Sequence, residues 1–254
     1  MPLRSHGQTR KRWRYVGVYG PGAMLCAARA QVGPFSQCFW QFWDGDGESL
    51  ANTRLRPGSA EVRMDGPAIE IEARDLRARL WLGDATPVES ICPSGPGWGW
   101  TRKRSGVPIR GTIETSKGRW EVDGHGVDDE SAGYQKRRTS WHWSAGIGRA
   151  TDDRPVAWNL VEGINDPAAN SERAIWIDGE PVEPAPVVFK DLTAVEFADG
   201  SLLSFTPGSE RVRDDNLLVF RSHYRHLFGG FRGSLDGVEL AEGFGVMEQH
   251  DAVW

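Results

Sequence analysis

The chain has 254 residues, enough for one large or two small domains with cores of their own. A formal charge of −5 offers no broad cationic face for phosphates, which argues against nucleic acid as a partner. Three cysteines without a Cys-x-x-Cys pair argue against a disulfide scaffold or zinc knuckle, and with no signal-like or membrane-length apolar run a cytoplasmic setting is expected.

Taken in chain order, the elements are strands. The basic run Arg10-Lys11-Arg12 reads as a solvated edge. Residues 13–20 open the first strand tract. Residues 23–29 come nearest to a helical period, but their match to 156–162 further on makes them strand. Ser49-Leu50 is one place for a short helix, and 167–173 is the other. Period-two alternation marks 69–72 and 76–82, then 139–144, then 217–222 as one run. Asp44-Gly45-Asp46-Gly47, Ser116-Lys117-Gly118, Asp178-Gly179, Asp199-Gly200 and Asp236-Gly237 supply hairpin turns, since glycine takes positive φ freely and aspartate tolerates it. The expected class is all-β.

One pattern occurs twice. Arg110-Gly111-Thr112-Ile113-Glu114 precedes Gly124-His125-Gly126-Val127-Asp128-Asp129. Arg232-Gly233-Ser234-Leu235-Asp236 precedes Gly243-Phe244-Gly245-Val246-Met247-Glu248. Trp13-Arg14-Tyr15 likewise matches Trp141-His142-Trp143. An offset of roughly 120 to 130 residues is a duplicated domain, not a solenoid repeat. The halves are expected at 1–134 and 135–254, the second carrying the ligand site. Two copies of a fold normally meet at an interface, where ligands often bind.

Residues 126–134, 139–148, 158–166, 171–173 and 243–254, in that order, resemble a bacterial family of unknown function, domain family 2804. That family is remotely similar to lipocalin-type two-barrel proteins, among them carotenoid hydratase, tocopherol cyclase and certain Diels–Alder cyclases. The resemblance implies two tandem lipocalin-like (calycin-type) antiparallel β-barrels, or barrel-like sandwiches, and a hydrophobic ligand. It carries over no catalytic residue. Gln135 and Arg138 stand where the pattern leads one to expect histidines, and Leu227 where it has proline.

Several residues are candidates for chemistry. Glu248 and His250 share a strand face, and a buried carboxyl beside an imidazole can move protons. The alternative is that Asp129 and Glu248 cap closing strands and pair with Arg110 and Arg232. Copy two has Trp158-Asn159-Leu160-Val161-Glu162, then Asn165-Asp166, where copy one has Met24-Leu25-Cys26-Ala27-Ala28. A polar cluster in one copy points to a site, or to a turn at Asn165-Asp166-Pro167. Glu248, Asp166, His142 and Asn159 are the candidate catalytic groups. Trp141, Trp143, Trp158, Glu162, Tyr134 and His250 are the candidate ligand contacts, the tryptophans because their faces stabilise a passing cation. The acidic run 128–130 beside Tyr134 reads as a solvated turn, the alternative being that it protonates or binds a polar group of the ligand. No histidine spacing fits zinc, and 17–22 is spoiled as a phosphate cradle by Pro21, so neither metal nor cofactor is expected. Three functions remain open: proton-transfer chemistry on an isoprenoid- or polyene-like molecule (hydratase, cyclase or isomerase), a non-catalytic lipid carrier, and a structural or interaction module.

Overall fold

The computed structural model describes residues 1–5, 7–47, 49–55, 61–217 and 220–254. After a small ribbon of β1 (Arg4–Ser5) and β2 (Gln8–Thr9), the chain builds two antiparallel sheets. The first contains β3 (Lys11–Tyr19), β4 (Met24–Val32), β5 (Phe35–Trp43), β6 (Ser49–Leu55), β7 (Val62–Asp65), β8 (Ala68–Glu72), β9 (Leu76–Leu82), β10 (Val88–Ser94), β11 (Gly97–Thr115) and β12 (Gly118–Gly133). The second contains β13 (Arg138–Ala150), β14 (Pro155–Glu162), β15 (Ala174–Ile177), β16 (Glu180–Val182), β17 (Val188–Lys190), β18 (Ala194–Glu196), β19 (Leu202–Leu217), β20 (Phe220–Leu235) and β21 (Val238–Val253).

The two sheets repeat one order. The first runs β6-β5-β4-β3-β12-β11-β9-β8-β7, and the second β16-β15-β14-β13-β21-β20-β19-β18-β17. One difference concerns the partner of the long strand. In the first sheet β9 pairs with residues 109–115 of β11 and β10 with 97–103, whereas β19 is a single strand along β20 with a bulge between Pro207 and Ser209.

The duplicated glycine tract has a steric cause. A Cβ on Gly126 would lie 1.9 Å from the Gly17 carbonyl oxygen, and one on Gly245 would lie 2.2 Å from that of Ala145. Both sit on the closing strand, β12 or β21, against β3 or β13. Backbone approaches backbone there too closely for any side chain.

Among the described residues, alternation along the strands gives three large cores and a small fourth around Trp176. Val16 and Val18 of β3 point into the first sheet's own core, with Ile109 and Phe42. Trp158, Phe231 and Met247 fill that of the second. The opposite faces meet each other: Tyr15, Tyr19 and Val127 pack on Trp143, Ala145, Phe228 and Val246. Each sheet therefore curls around its own core, and β3, β4 and β12 bury part of their other face against β13, β14, β20 and β21.

Four expectations need correction. No helix occurs among the described residues: Ser49 begins β6, and 167–173 is irregular. Left-handed Asn165 and Asn170 turn the backbone there, and Glu183 ties down the amides of Asn170 and Ser171. The run 217–222 is not one strand, because Leu217 pairs with Phe220 across a hairpin whose residues 218–219 lie outside the described residues. Lys11 is not solvated: its Nζ is buried and donates to the carbonyls of Gln135 and Lys136 at 2.7 and 2.8 Å. Asp128 and Asp129 are not in a turn but in β12, and both are buried. No helix of the described residues is long and apolar enough to cross a membrane.

Candidate functional site

Cross-strand pairing builds a ladder of charge. Arg102, Lys103 and Arg104 of β11 lie opposite Glu130, Asp129 and Asp128 of β12. Successive residues point to opposite faces. Asp128 pairs with Val16 and shares its side of the sheet, where Arg14 and Arg104 close on its carboxylate. Lys103 and Asp129 turn to the interface, with 2.5 Å from Nζ to Oδ2.

A long loop of the second copy completes this cluster. Copy one joins β4 to β5 through Gly33-Pro34, whereas copy two places residues 163–173 between β14 and β15. The loop brings Glu172 Oε1 to 3.3 Å from Lys103 Nζ, and Asn165 Nδ2 donates to Glu172 Oε2 at 3.0 Å. One buried lysine thus faces two buried carboxyls. Burial pushes Glu172 up to about 7, against the pull of Lys103, and raises Asp129 as well. Burial also opposes the lysine's charge, but the two acids outweigh it and raise its pKa.

Glu248 is the copy-two counterpart of Asp129. Its neighbour on β20 is His226, at the place where copy one has Lys103. Burial holds His226 down at about 3, so this neighbour is neutral at pH 7. Glu248 is therefore left without a cation beside it. Its Oε1 accepts from Trp141 Nε1 at 2.9 Å and its Oε2 from the Tyr224 hydroxyl at 2.8 Å. Burial pushes it up to about 7 even though both bonds favour the carboxylate. One duplicated position has become an ion pair in the first copy and a near-neutral acid in the second.

Both acids line one cavity of about 120 Å³ between the sheets. Trp13, Tyr15 and Phe39 supply its walls from one side, and Trp141, Trp143 and Tyr224 from the other. Lys103, Asn165, Glu172, Arg211 and His250 also line it. Asp129 Oδ1 and Asn165 Oδ1 are buried without a protein donor. A second, more open cleft of about 840 Å³ also lies between the halves, and its acids, such as Glu121, Asp123 and Glu242, are exposed.

Four sequence candidates meet at the cavity: Glu248, His250, Trp141 and Trp143. His250 accepts or shares a proton with Ser222 Oγ at 2.7 Å, and burial lowers it to about 3. The other six lie elsewhere. Asn159 is buried one step behind the wall, where Oδ1 accepts from Trp143 Nε1 at 2.8 Å and Nδ2 donates to the Glu172 carbonyl at 2.8 Å. Trp158 is fully buried in the second core against Phe231. His142 stacks on Phe189, 3.9 Å from Glu162, which accepts from the Phe189 amide. Asp166 Oδ2 caps the Gly163 amide at 2.7 Å. The Tyr134 hydroxyl donates to the Pro2 carbonyl at 2.8 Å. Arg110 pairs with Asp123, not with Asp129. Among the described residues no three His, Cys, Asp or Glu side chains group to hold a metal ion.

Comparison with solved structures gives the fold a place. An AttH protein from Nitrosomonas europaea is 13% identical, with a TM-score of 0.59 over 96% of this chain and 93% of that one. Kievitone hydratase from Nectria haematococca is 9% identical, with a TM-score of 0.60 over 94% and 88%. The fold is the lipocalin-like two-barrel fold, all-β and duplicated. No curated protein sequence matches the chain. A family model matches residues 49–254, and by that match the chain belongs to the family described as domain of unknown function DUF2804.

Proposed function

We propose that the protein binds a small hydrophobic, isoprenoid- or polyene-like molecule between its two halves and moves a proton on it, in the manner of a hydratase, cyclase or isomerase. The observation that carries this reading is Glu248: a buried acid with a pKa of about 7, on the wall of an aromatic cavity. An acid of that strength is half-protonated at neutral pH and can both give and regain a proton. The fold it shares with kievitone hydratase is compatible with such chemistry.

In this reading Glu248 protonates a carbon–carbon double bond, and the rings of Trp141 and Trp143 shield the resulting cation. Asp129 Oδ1 accepts from a water or a ligand hydroxyl. For hydration, that water attacks the cation, its proton passes to Asp129, and the acids exchange a proton through solvent to reset. Asn159 acts through Trp143 and the Glu172 backbone, as a positioning residue. Three buried cysteines, none in a disulfide, fit the cytoplasmic setting. A small hydrophobic ligand is the only partner invoked.

The test is turnover of terpenoid and polyene alkenes in D2O, followed by mass spectrometry. Deuterium incorporation should vanish in Glu248→Gln while circular dichroism is unchanged. Undiminished incorporation would remove Glu248 from the chemistry. A second reading, an interaction module, draws on the cavity's size, since enclosed ligand sites commonly hold roughly 300–1,000 Å³. It predicts that no apolar ligand binds. A carrier would instead yield a copurified lipid, released unchanged.

A further inference from the structure

We propose that the ligand carries an ionised oxygen group, a carboxylate or phenolate, and that Arg211 recognises it. The inference rests on the cavity being a ligand site, as above, and names the chemical class of what enters.

Among the described residues the cationic side chains of the cavity are matched to carboxylates, with one exception. Lys103 faces Asp129 and Glu172. Arg213 holds Asp215 through two bonds of 2.7 Å. Arg211 has no carboxylate among the described residues: it donates to the Thr53 hydroxyl, and its guanidinium lies 4.9 Å from the Phe39 ring centre and 5.9 Å from that of Tyr224. Its Nη1 is buried with no acceptor among the described residues. A buried guanidinium N–H without an acceptor is costly, and the planar fork fits an oxyanion in two-point contact. The flanking rings hold the fork in place without neutralising it.

The repeat shows that the fold does not need this cation. Arg211 pairs with His226 on β20. The matching partner of Lys103 on β11 is Val88. Copy one fills the position with a plain apolar residue, so the charge belongs to the second copy alone. It also sits over Tyr224, the donor to Glu248, which places an anionic group beside the proposed acid.

The experiment is calorimetric binding of cinnamate and of neutral cinnamamide at neutral pH, a pair of small planar probes differing in charge. Wild type should bind cinnamate about tenfold more tightly than the amide, the usual scale for a charge-assisted contact. Arg211→Gln should erase the preference without weakening the amide. Arg211→Lys should keep part of it, as charge without the fork. Thr53→Val, which removes the anchor, should lower it and covers the case in which Arg211→Gln does not fold. Equal binding of the two probes by wild type, binding of neither at millimolar concentration, or a preference that survives in Arg211→Gln would overturn the proposal. Glu248→Gln separates the two readings: it should retain the cinnamate preference while losing proton transfer.

Discussion

Trp13 and Trp141 hold equivalent places in the two halves, and their rings stack nearly parallel, 6.5 Å between centres and 4° between planes. The next equivalent pair, Tyr15 and Trp143, meets edge to face at 5.1 Å. The halves thus join like against like around a local pseudo-twofold relation. The relation breaks at Lys103 and His226, and that break separates a paired acid from a near-neutral one.

The stacked pair should be coupled energetically. A double-mutant cycle of Trp13→Ala and Trp141→Ala, read by urea unfolding, is expected to give about 0.5–1.5 kcal/mol. The cycle also removes the separate effect of losing the Trp141 bond to Glu248. Additive single effects would mean the rings contribute nothing jointly.

Glu248 makes stability depend on pH. Its folded value of about 7 lies above its ordinary 4.5, so between those values the native state holds more protons than the unfolded chain. That stability is present below pH 4.5 and lost as pH rises through 7. Glu248→Gln reproduces the protonated form, with an acceptor for Trp141 and a donor for Tyr224. The variant should match the parent at pH 5 and exceed it at pH 8 by about 2–3 kcal/mol. Urea midpoints at the two pH values decide this, and parallel pH profiles would contradict it.

Lys103 holds two acids. Lys103→Met should cost about 3–5 kcal/mol at pH 8, where both carboxyls must otherwise shed or share charge without a cation. At pH 5 the loss should be smaller, since Glu172, pushed up to about 7, takes up a proton there. The comparison uses the same unfolding assay, and an equal loss at both pH values would count against the cluster as described.

Asn159 joins the wall to the loop. Asn159→Leu removes a buried acceptor from Trp143 and a buried donor to the Glu172 carbonyl, and should destabilise by about 2 kcal/mol. Amide hydrogen exchange should quicken across 163–173. Unchanged protection in that segment would show that the bond to Glu172 does not hold the loop.

Much of the architecture could be read from the chain, for steric reasons. Gly126 and Gly245 permit no side chain, so duplication left them as a visible mark. Asp178-Gly179 and Asp236-Gly237 both turn with positive φ at each residue, as their composition foretells. The site was harder to read. Both faces of β3, β4, β13 and β14 are buried along much of their length, so period two cannot say which face meets the twin and which the sheet's own core. Period alone therefore does not separate Trp158, which points inward, from Trp141 and Trp143, which point to the interface. Lys103 did leave a signal in Arg102-Lys103-Arg104 matched against Asp128-Asp129-Glu130, but it requires the register of β11 on β12. Arg211 and Tyr224 are near neighbours across the paired strands β19 and β20, but Glu172 comes from a separate tract and is joined to them only by tertiary packing.

The most direct measurement is the titration of Glu248 in protein labelled with carboxyl-¹³C glutamate, its resonance identified by loss in Glu248→Gln. A midpoint near 7 is expected, with the side chain still an acid where ordinary glutamates are ionised. A midpoint near 4.5 would leave the cavity without a proton donor at neutral pH and would contradict the account.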